Sequence, residues 1–168
     1  MLGTSSSITY SYPQILTSIN AVGGTSGTWP TANRAYFYPI RLPKPVLVKQ
    51  LFWENGAAVS GNVDCGIYDE HGTLLVSTGS TAQSGTSTTQ VVDITDKWIG
   101  PGVFYVGLAM DNTTGTVIRG VVAERNLTQF GWMYAASAFP LPATITFATH
   151  GANNFRPEYF GLTIEGTF

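Results

Sequence analysis

Apolar and polar residues alternate along several short segments of this chain, most clearly within residues 62–110. Val63, Cys65 and Ile67 alternate with polar or small residues. A period of two places every second side chain on the same face of a β-strand, so this segment is predicted to bury one face. Residues 69–72, Asp-Glu-His-Gly, form a turn sequence in which glycine takes the position of positive φ. The chain is therefore predicted to return as the second strand of a hairpin.

Residues 46–53 carry apolar side chains at both sets of alternating positions. Apolar residues on both faces are typical of a central strand, or of a strand whose second face meets a partner. Strict alternation gives the following two faces: Val46, Val48 and Phe52 on one, and Leu47, Leu51 and Trp53 on the other.

Further short strands are indicated on both sides of these segments. Pro39 lacks an amide donor and is expected to confine the aromatic strand 34–41 to a sheet edge or to end it. Residues 111–115 have the composition of a hairpin turn, from which residues 116–119 are predicted to return. The remaining predicted strands cover residues 90–94, 103–110, 143–149 and 159–165.

Only residues 126–138 have the spacing of a helix. Asn126 is a suitable N-cap, and Leu127, Phe130 and Tyr134 recur at helical intervals. The rest of the pattern, about eight to ten short strands separated by turn residues, is that of a sandwich or jelly roll.

The fold class that follows is all-β: an antiparallel, jelly-roll-like β-sandwich over residues 35–168, with at most one short helix. Residues 1–34 are rich in Ser, Thr and Gly and are assigned to an extended N-terminal arm. Two interpretations stay open, a loose tail or an arm that becomes ordered against a neighbouring subunit. The second follows from apolar side chains that a free tail would expose to water. The interface candidates are Tyr12, Ile15, Leu16, Ile19 and Trp29.

Composition adds one strong observation, a scarcity of charge. Charged residues make up 11% of the 168 residues, against about 25% in ordinary soluble domains. A surface with so few charges is poorly protected against association, so much of it is expected to lie against copies of the chain or other subunits. A net charge of −2 without a basic patch argues against nucleic acid. No apolar run is long enough to span a membrane, and the first residues do not resemble a signal peptide.

Candidate chemistry is sparse. The two histidines have no second metal-type ligand at a useful spacing, so neither a metal nor a cofactor is expected. Cys65 lies mid-strand among apolar residues and is interpreted as a buried, inert thiol. No nucleophile motif is present and no pair of carboxylates stands out, so an enzyme is not expected. Trp29 and Trp98 are candidates for stacking on sugar rings, whereas Trp53 is assigned to the core.

Six segments of the chain together carry a resemblance to a known family. They are 61–72 (Gly-Asn-Val-Asp-Cys-Gly-Ile-Tyr-Asp-Glu-His-Gly), 77–86, 93–96, 100–109 (Gly-Pro-Gly-Val-Phe-Tyr-Val-Gly-Leu-Ala), 140–144 and 160–163. These segments resemble small β-sandwich structural proteins of tailed bacteriophage virions, and the likeness covers roughly residues 34–168. It implies an oligomeric, often trimeric, virion component without catalytic residues, such as a capsid decoration, a head fibre, or a tail or baseplate part. The absence of a repetitive shaft favours a compact decorating or adaptor role.

Two functions are therefore expected from the sequence. The first is a non-enzymatic phage structural protein that forms homo-oligomers, docks to other virion proteins through its N-terminal arm and is located in the virion. The alternative is a carbohydrate- or receptor-binding module of the virion tail, which would contact a host-surface glycan through its aromatic side chains.

Overall fold

The computed structural model describes residues 7–11, 24–120, 131–149 and 158–165. These residues form antiparallel strands and no helix, so the predicted all-β sandwich is confirmed. No helix that could cross a membrane is found among them. The strands are β1 (Ser7–Ser11), β2 (Thr25–Thr28), β3 (Ala35–Leu42), β4 (Val46–Glu54), β5 (Asn62–Asp69), β6 (Leu74–Ser77), β7 (Thr81–Ala82), β8 (Thr89–Ile99), β9 (Gly102–Met110), β10 (Thr116–Arg119), β11 (Met133–Ala135), β12 (Ala148–Thr149) and β13 (Phe160–Glu165).

Two sheets pack face to face, and a small strand pair accompanies them. The smaller sheet has four strands in the order β1-β13-β4-β8. The larger sheet has the order β12-β11-β3-β9-β5-β6, with β7 paired to β5. Strands β2 and β10 form the separate pair. The main core lies between the two sheets and includes Trp53 and Cys65, both fully buried as predicted.

A β-bulge in β4 changes which residues share a face. Val48 and Gln50 pair with the adjacent residues Ile164 and Thr163 of β13, so Lys49 is an inserted residue, and the pairing of β4 with β8 is interrupted at the same place. As a result Val46 and Val48 are buried on the same side as Leu51 and Trp53. The strict alternation expected from the sequence is therefore wrong beyond the bulge, because the extra residue inverts the phase of the strand. The prediction of a central strand is confirmed, since β4 lies between β13 and β8.

The β5–β6 hairpin forms as predicted. The Asp69 carboxylate accepts hydrogen bonds from the backbone N–H groups of His71 and Thr73, at 2.9 and 2.8 Å. Gly72 has a φ of 82°, a conformation that is strained for residues with a Cβ. These local interactions explain why this hairpin could be predicted from sequence alone.

One prediction about strand pairing is wrong, and so is the helix prediction over the residues that the structure describes. Residues 116–119 form β10 after the predicted turn, but β10 pairs with β2 in the small sheet instead of returning along β9. The helix predicted over residues 126–138 falls partly outside the described residues. Its described part contains β11, whose three residues pair with the start of β3. Pairing with a neighbouring strand overrides the helical spacing there.

Pro39 does not place its strand at a sheet edge. β3 lies between β11 and β9 and continues past Pro39 to Leu42, so the expectation that Pro39 would confine this strand to an edge or end it is wrong. β3 pairs with β9 along its whole length, and among the described residues β11 reaches Ala35, Tyr36 and Phe37. Pro39 is tolerated because it lies beyond this short ladder.

Parts of the N-terminal 34 residues belong to the sandwich. β1 pairs with β13 at the edge of the smaller sheet, and β2 pairs with β10. Trp29 is 1% exposed and packs edge-on against Tyr36, with its indole N–H donating to the carbonyl of Arg34 at 3.0 Å. The four remaining arm candidates, Tyr12, Ile15, Leu16 and Ile19, lie outside the described residues.

Candidate assembly surface

The outer face of the four-stranded sheet carries apolar side chains in cross-strand pairs. Leu47 is opposite Trp98, and Phe52 is opposite Val91. Opposed residues of an antiparallel pair project from the same side of the sheet. We define the assembly face as these two apolar pairs together with the Gln50–Asp93 pair between them.

Exposure separates this face from the rest of the described surface. Trp98 is 65% exposed and Val91 is 50% exposed. Leu47 and Phe52 are partly buried. Among the described residues, the other exposed large hydrophobic side chain is Val103, at 37%. An uncovered apolar cluster of this kind typically marks an interaction site.

The polar pair at the centre of the assembly face is joined by a hydrogen bond. Gln50 Nε2 donates to Asp93 Oδ1 at 2.6 Å. Beyond the end of the face, burial raises the pKa of Glu54 above its usual range. A partner that covers the face therefore has to supply the Asp93 carboxylate with further donors or leave it hydrated.

The outer face of the larger sheet differs from the assembly face, because a later segment of the same chain covers it. Residues 136–147 pack over this face and form a second buried cluster. Phe147 stacks edge-on against Phe37, and the hydroxyl of Tyr68 donates to the carbonyl of Pro142 at 2.7 Å. The buried carboxylate of Asp64 accepts from the N–H of Leu141 at 2.9 Å. The described chain supplies this cover to one sheet, whereas Trp98 and Val91 on the other remain open to solvent.

A buried amide network joins the loops at one end of the sandwich. The Trp53 indole N–H donates to Asn55 Oδ1 at 2.9 Å, and Gln83 Nε2 donates to the same oxygen at 3.0 Å. Asn55 Nδ2 in turn donates to the Ser84 carbonyl and to Gln90 Oε1. The sequence analysis did not predict this network, because its members are brought together by distant loops. Its groups satisfy one another, so the network serves structure.

A second buried polar group, Glu158, is not satisfied in the same way. It is fully buried, and neither carboxyl oxygen has a hydrogen-bond partner. Its backbone bridges to Arg119 at the end of β10. Burial raises the pKa of Glu158 to about 8, although the positive charge of Arg119 opposes this shift. The Arg119 guanidinium occupies the space that a Cβ at Gly27 would take. Glu158 is thus largely protonated at neutral pH.

The carboxylates in the described residues mostly organise backbone. Asp69 binds turn amides, and Asp111 accepts from the N–H of Asn62 at 3.0 Å. The described residues contain no group of three or more His, Cys, Asp or Glu arranged to hold a metal ion. His71 lies on the surface, 3.7 Å from Glu70. Burial raises the pKa of the Cys65 thiol well above its usual range, so it stays protonated.

The structure separates the two tryptophans that the sequence singled out. The ring of Trp29 is enclosed by its own chain, which leaves it unavailable to a sugar or to a neighbouring subunit. Trp98 is exposed on the assembly face. The partners of Trp98 on this face were not predicted, because sheet register and the bulge in β4 decide which residues oppose it.

Comparison with known proteins provides no relative from which a function could be transferred. No protein family, curated protein or solved structure matches this chain.

Proposed function

We propose that this chain is a non-enzymatic structural protein that functions as a homo-oligomer, with copies in contact through the assembly face. The observation that carries the proposal is the exposure of Trp98 and Val91 beside Leu47 and Phe52 on the outer face of the smaller sheet. Because 11% of its residues are charged, the chain has few charged groups that could prevent self-association through such a face in solution.

A second copy is the occupant that the chemistry of the face favours. The face offers apolar rings and aliphatic chains with one internally bonded polar pair, and another copy supplies the same surface. The whole outer face of the smaller sheet, of which the assembly face is the β4–β8 part, has four strands spaced about 4.8 Å apart and about 25 Å long, or roughly 500 Å² per copy. Two copies in contact over this whole outer face would bury about 1,000 Å², at the lower limit of specific interfaces. Association should therefore be weak between isolated pairs and stronger where several copies meet.

Sedimentation velocity across a concentration series tests self-association. We expect reversible oligomers that become dominant between about 1 and 100 µM, as weak interfaces of this area generally require. A single 18.0 kDa species throughout this range would overturn the proposal.

The virion location rests on the sequence resemblance, which implies a trimeric decoration, fibre or tail adaptor bound to other virion proteins. Its test is immunogold labelling of phage particles produced by the genome that encodes this chain. Labelled particles would support the location, and particles without label or without the chain in their mass spectrum would refute it.

A carbohydrate- or receptor-binding role is the second candidate, supported by the exposed indole of Trp98. Planar exposed indoles stack on the apolar face of sugar rings. Glycan-array binding that is lost on Trp98→Ala but kept on Val103→Ala would favour this role. If no glycan of a broad array were bound, the carbohydrate-binding role would be rejected and self-association would remain the proposed function of the assembly face.

A further inference from the structure

The N-terminal strand β1 pairs with a strand edge that a second copy of the chain also presents. β1 is the edge strand of the smaller sheet, and within the part of the chain that the structure describes it pairs with β13 alone. The ladder runs from Ser7 opposite Glu165 to Ser11 opposite Gly161. We propose that β1 is an exchangeable strand: in the assembled protein, Ser7–Ser11 of one copy pairs with β13 of a second copy.

The connection between β1 and β2 is much longer than the gap between its ends requires. Ser11 is paired with Gly161, while a Cβ at Gly24 would lie 3.3 Å from the Tyr159 ring, two residues along from Gly161. Residues 12–24 join these neighbouring points. Thirteen residues can span up to about 45 Å when extended. The chain therefore has the length to deliver β1 to a neighbouring molecule while β2 stays in its own.

The acceptor strand does not depend on β1 for its position. β13 pairs with β4 on its other side, from Phe160 opposite Trp53 to Glu165 opposite Leu47. Its side chains Phe160, Leu162 and Ile164 are at most 1% exposed and belong to the main core. β13 thus remains a formed strand with a free edge when β1 leaves, and a free edge is a template for an incoming strand.

Exchange conserves the interactions that it breaks. The same five residue pairs form whether β1 comes from its own copy or from another. The balance is then set by the local concentration of acceptor edges, which self-association through the assembly face raises. This inference rests on the proposed oligomeric function, but it can fail while that function stands.

Disulfide trapping distinguishes the two pairings. Thr9 is opposite Thr163, so Thr9→Cys and Thr163→Cys place thiols on directly opposed residues, within the Cα separation that a disulfide accepts. Two chains that each carry one added cysteine, Thr9→Cys and Thr163→Cys, are mixed at about 100 µM and oxidised mildly. Thr163 is opposite Gln50 and therefore lies on the outer face of the smaller sheet, so a bond attests exchange only where its yield exceeds that of a control for contact through the assembly face. We expect a covalent species at twice the 18.0 kDa chain mass, at a yield at least about fivefold above the control.

The matched control is Thr9→Cys mixed with Gln50→Cys, which is opposite Thr163 on β4 and reports both random collision and contact through the assembly face. The native thiol of Cys65 is buried and does not compete. A second pair, Ser7→Cys with Glu165→Cys, tests the opposite end of the ladder and guards against a variant that misfolds.

The outcomes are decisive for each claim. Covalent dimers from both pairs support strand exchange. Oligomers in sedimentation without such dimers overturn exchange and leave the proposed oligomer intact. A monomeric chain that forms only the intramolecular bond in the double variant Thr9→Cys/Thr163→Cys overturns both.

Discussion

Trp98 lies directly across the sheet from Leu47, on the outer face of the smaller sheet, and 65% of its surface is open to solvent. A tryptophan in this position is costly for an isolated molecule, because its apolar surface remains in water at about 25 cal/mol for each Å². The cost is recovered when another protein covers the ring. This relationship is the basis of the proposed assembly face.

Replacing Trp98 should weaken self-association without unfolding the chain. We expect Trp98→Ala to raise the dissociation constant at least about tenfold, since central aromatic residues dominate interface energies. The melting temperature measured at submicromolar concentration should change little, because the ring is exposed in the monomer.

Val103→Ala is the matched control for this variant. Val103 is also exposed, but it belongs to β9 of the larger sheet. Its replacement should leave association unchanged. Equal effects of the two substitutions, or none from Trp98→Ala, would show that the contact lies elsewhere.

The buried amide network predicts a stability effect at Asn55. Asn55→Ala removes the acceptor of the Trp53 indole N–H and leaves Gln83 short of one partner. A buried donor without an acceptor costs about 1–3 kcal/mol, so the free energy of unfolding in urea should fall by that amount. Gln50→Ala, which breaks a solvent-exposed pair, should cost less than about 0.5 kcal/mol. If Asn55→Ala lowered the free energy of unfolding no more than Gln50→Ala does, the role assigned to the network would be contradicted.

The raised pKa of Glu158 predicts that the free energy of unfolding depends on pH. Burial raises its pKa in the folded chain to about 8, above the value of about 4.3 expected when unfolded. The folded chain therefore holds this proton more tightly than the unfolded chain does. The contribution of Glu158 to stability is fully present below about pH 4 and is lost as the pH rises towards 8.

Glu158→Gln keeps the shape of the side chain and removes the titration. Unfolding free energies measured at several values between pH 5 and pH 9 should fall with pH by a few kcal/mol more in the parent chain than in the variant. The variant should also be the more stable of the two at pH 8. Parallel profiles would mean that Glu158 is already ionised and paired in the folded chain.

Local features of this fold could be predicted from sequence, and non-local ones could not. The Asp69–Gly72 turn was predictable because its hydrogen bonds join residues close in the chain. The bulge in β4 was not, because a period-two pattern contains no signal for one inserted residue. β11 resembled a helix in sequence, and only pairing with β3 makes it a strand.

The same distinction applies to the candidate surface. Trp98 could be singled out as a large aromatic residue in a polar region, and the apolar content of both faces of β4 suggested a partner. Neither observation could place Leu47 beside Trp98, since that contact depends on register between distant segments. Trp29 was assigned to an interface because it precedes a proline in a polar loop, yet tertiary packing encloses it.

Iodide quenching of tryptophan fluorescence, recorded from about 0.5 to 100 µM protein, tests the assembly face most directly. Trp29, Trp53 and Trp132 are at most 1% exposed, so the quenchable emission of the dilute chain reports Trp98. We predict that this emission becomes protected in step with the oligomers seen in sedimentation, and that Trp98→Phe lacks the quenchable component at every concentration. Oligomers in which Trp98 stays as quenchable as in the dilute chain would contradict the account.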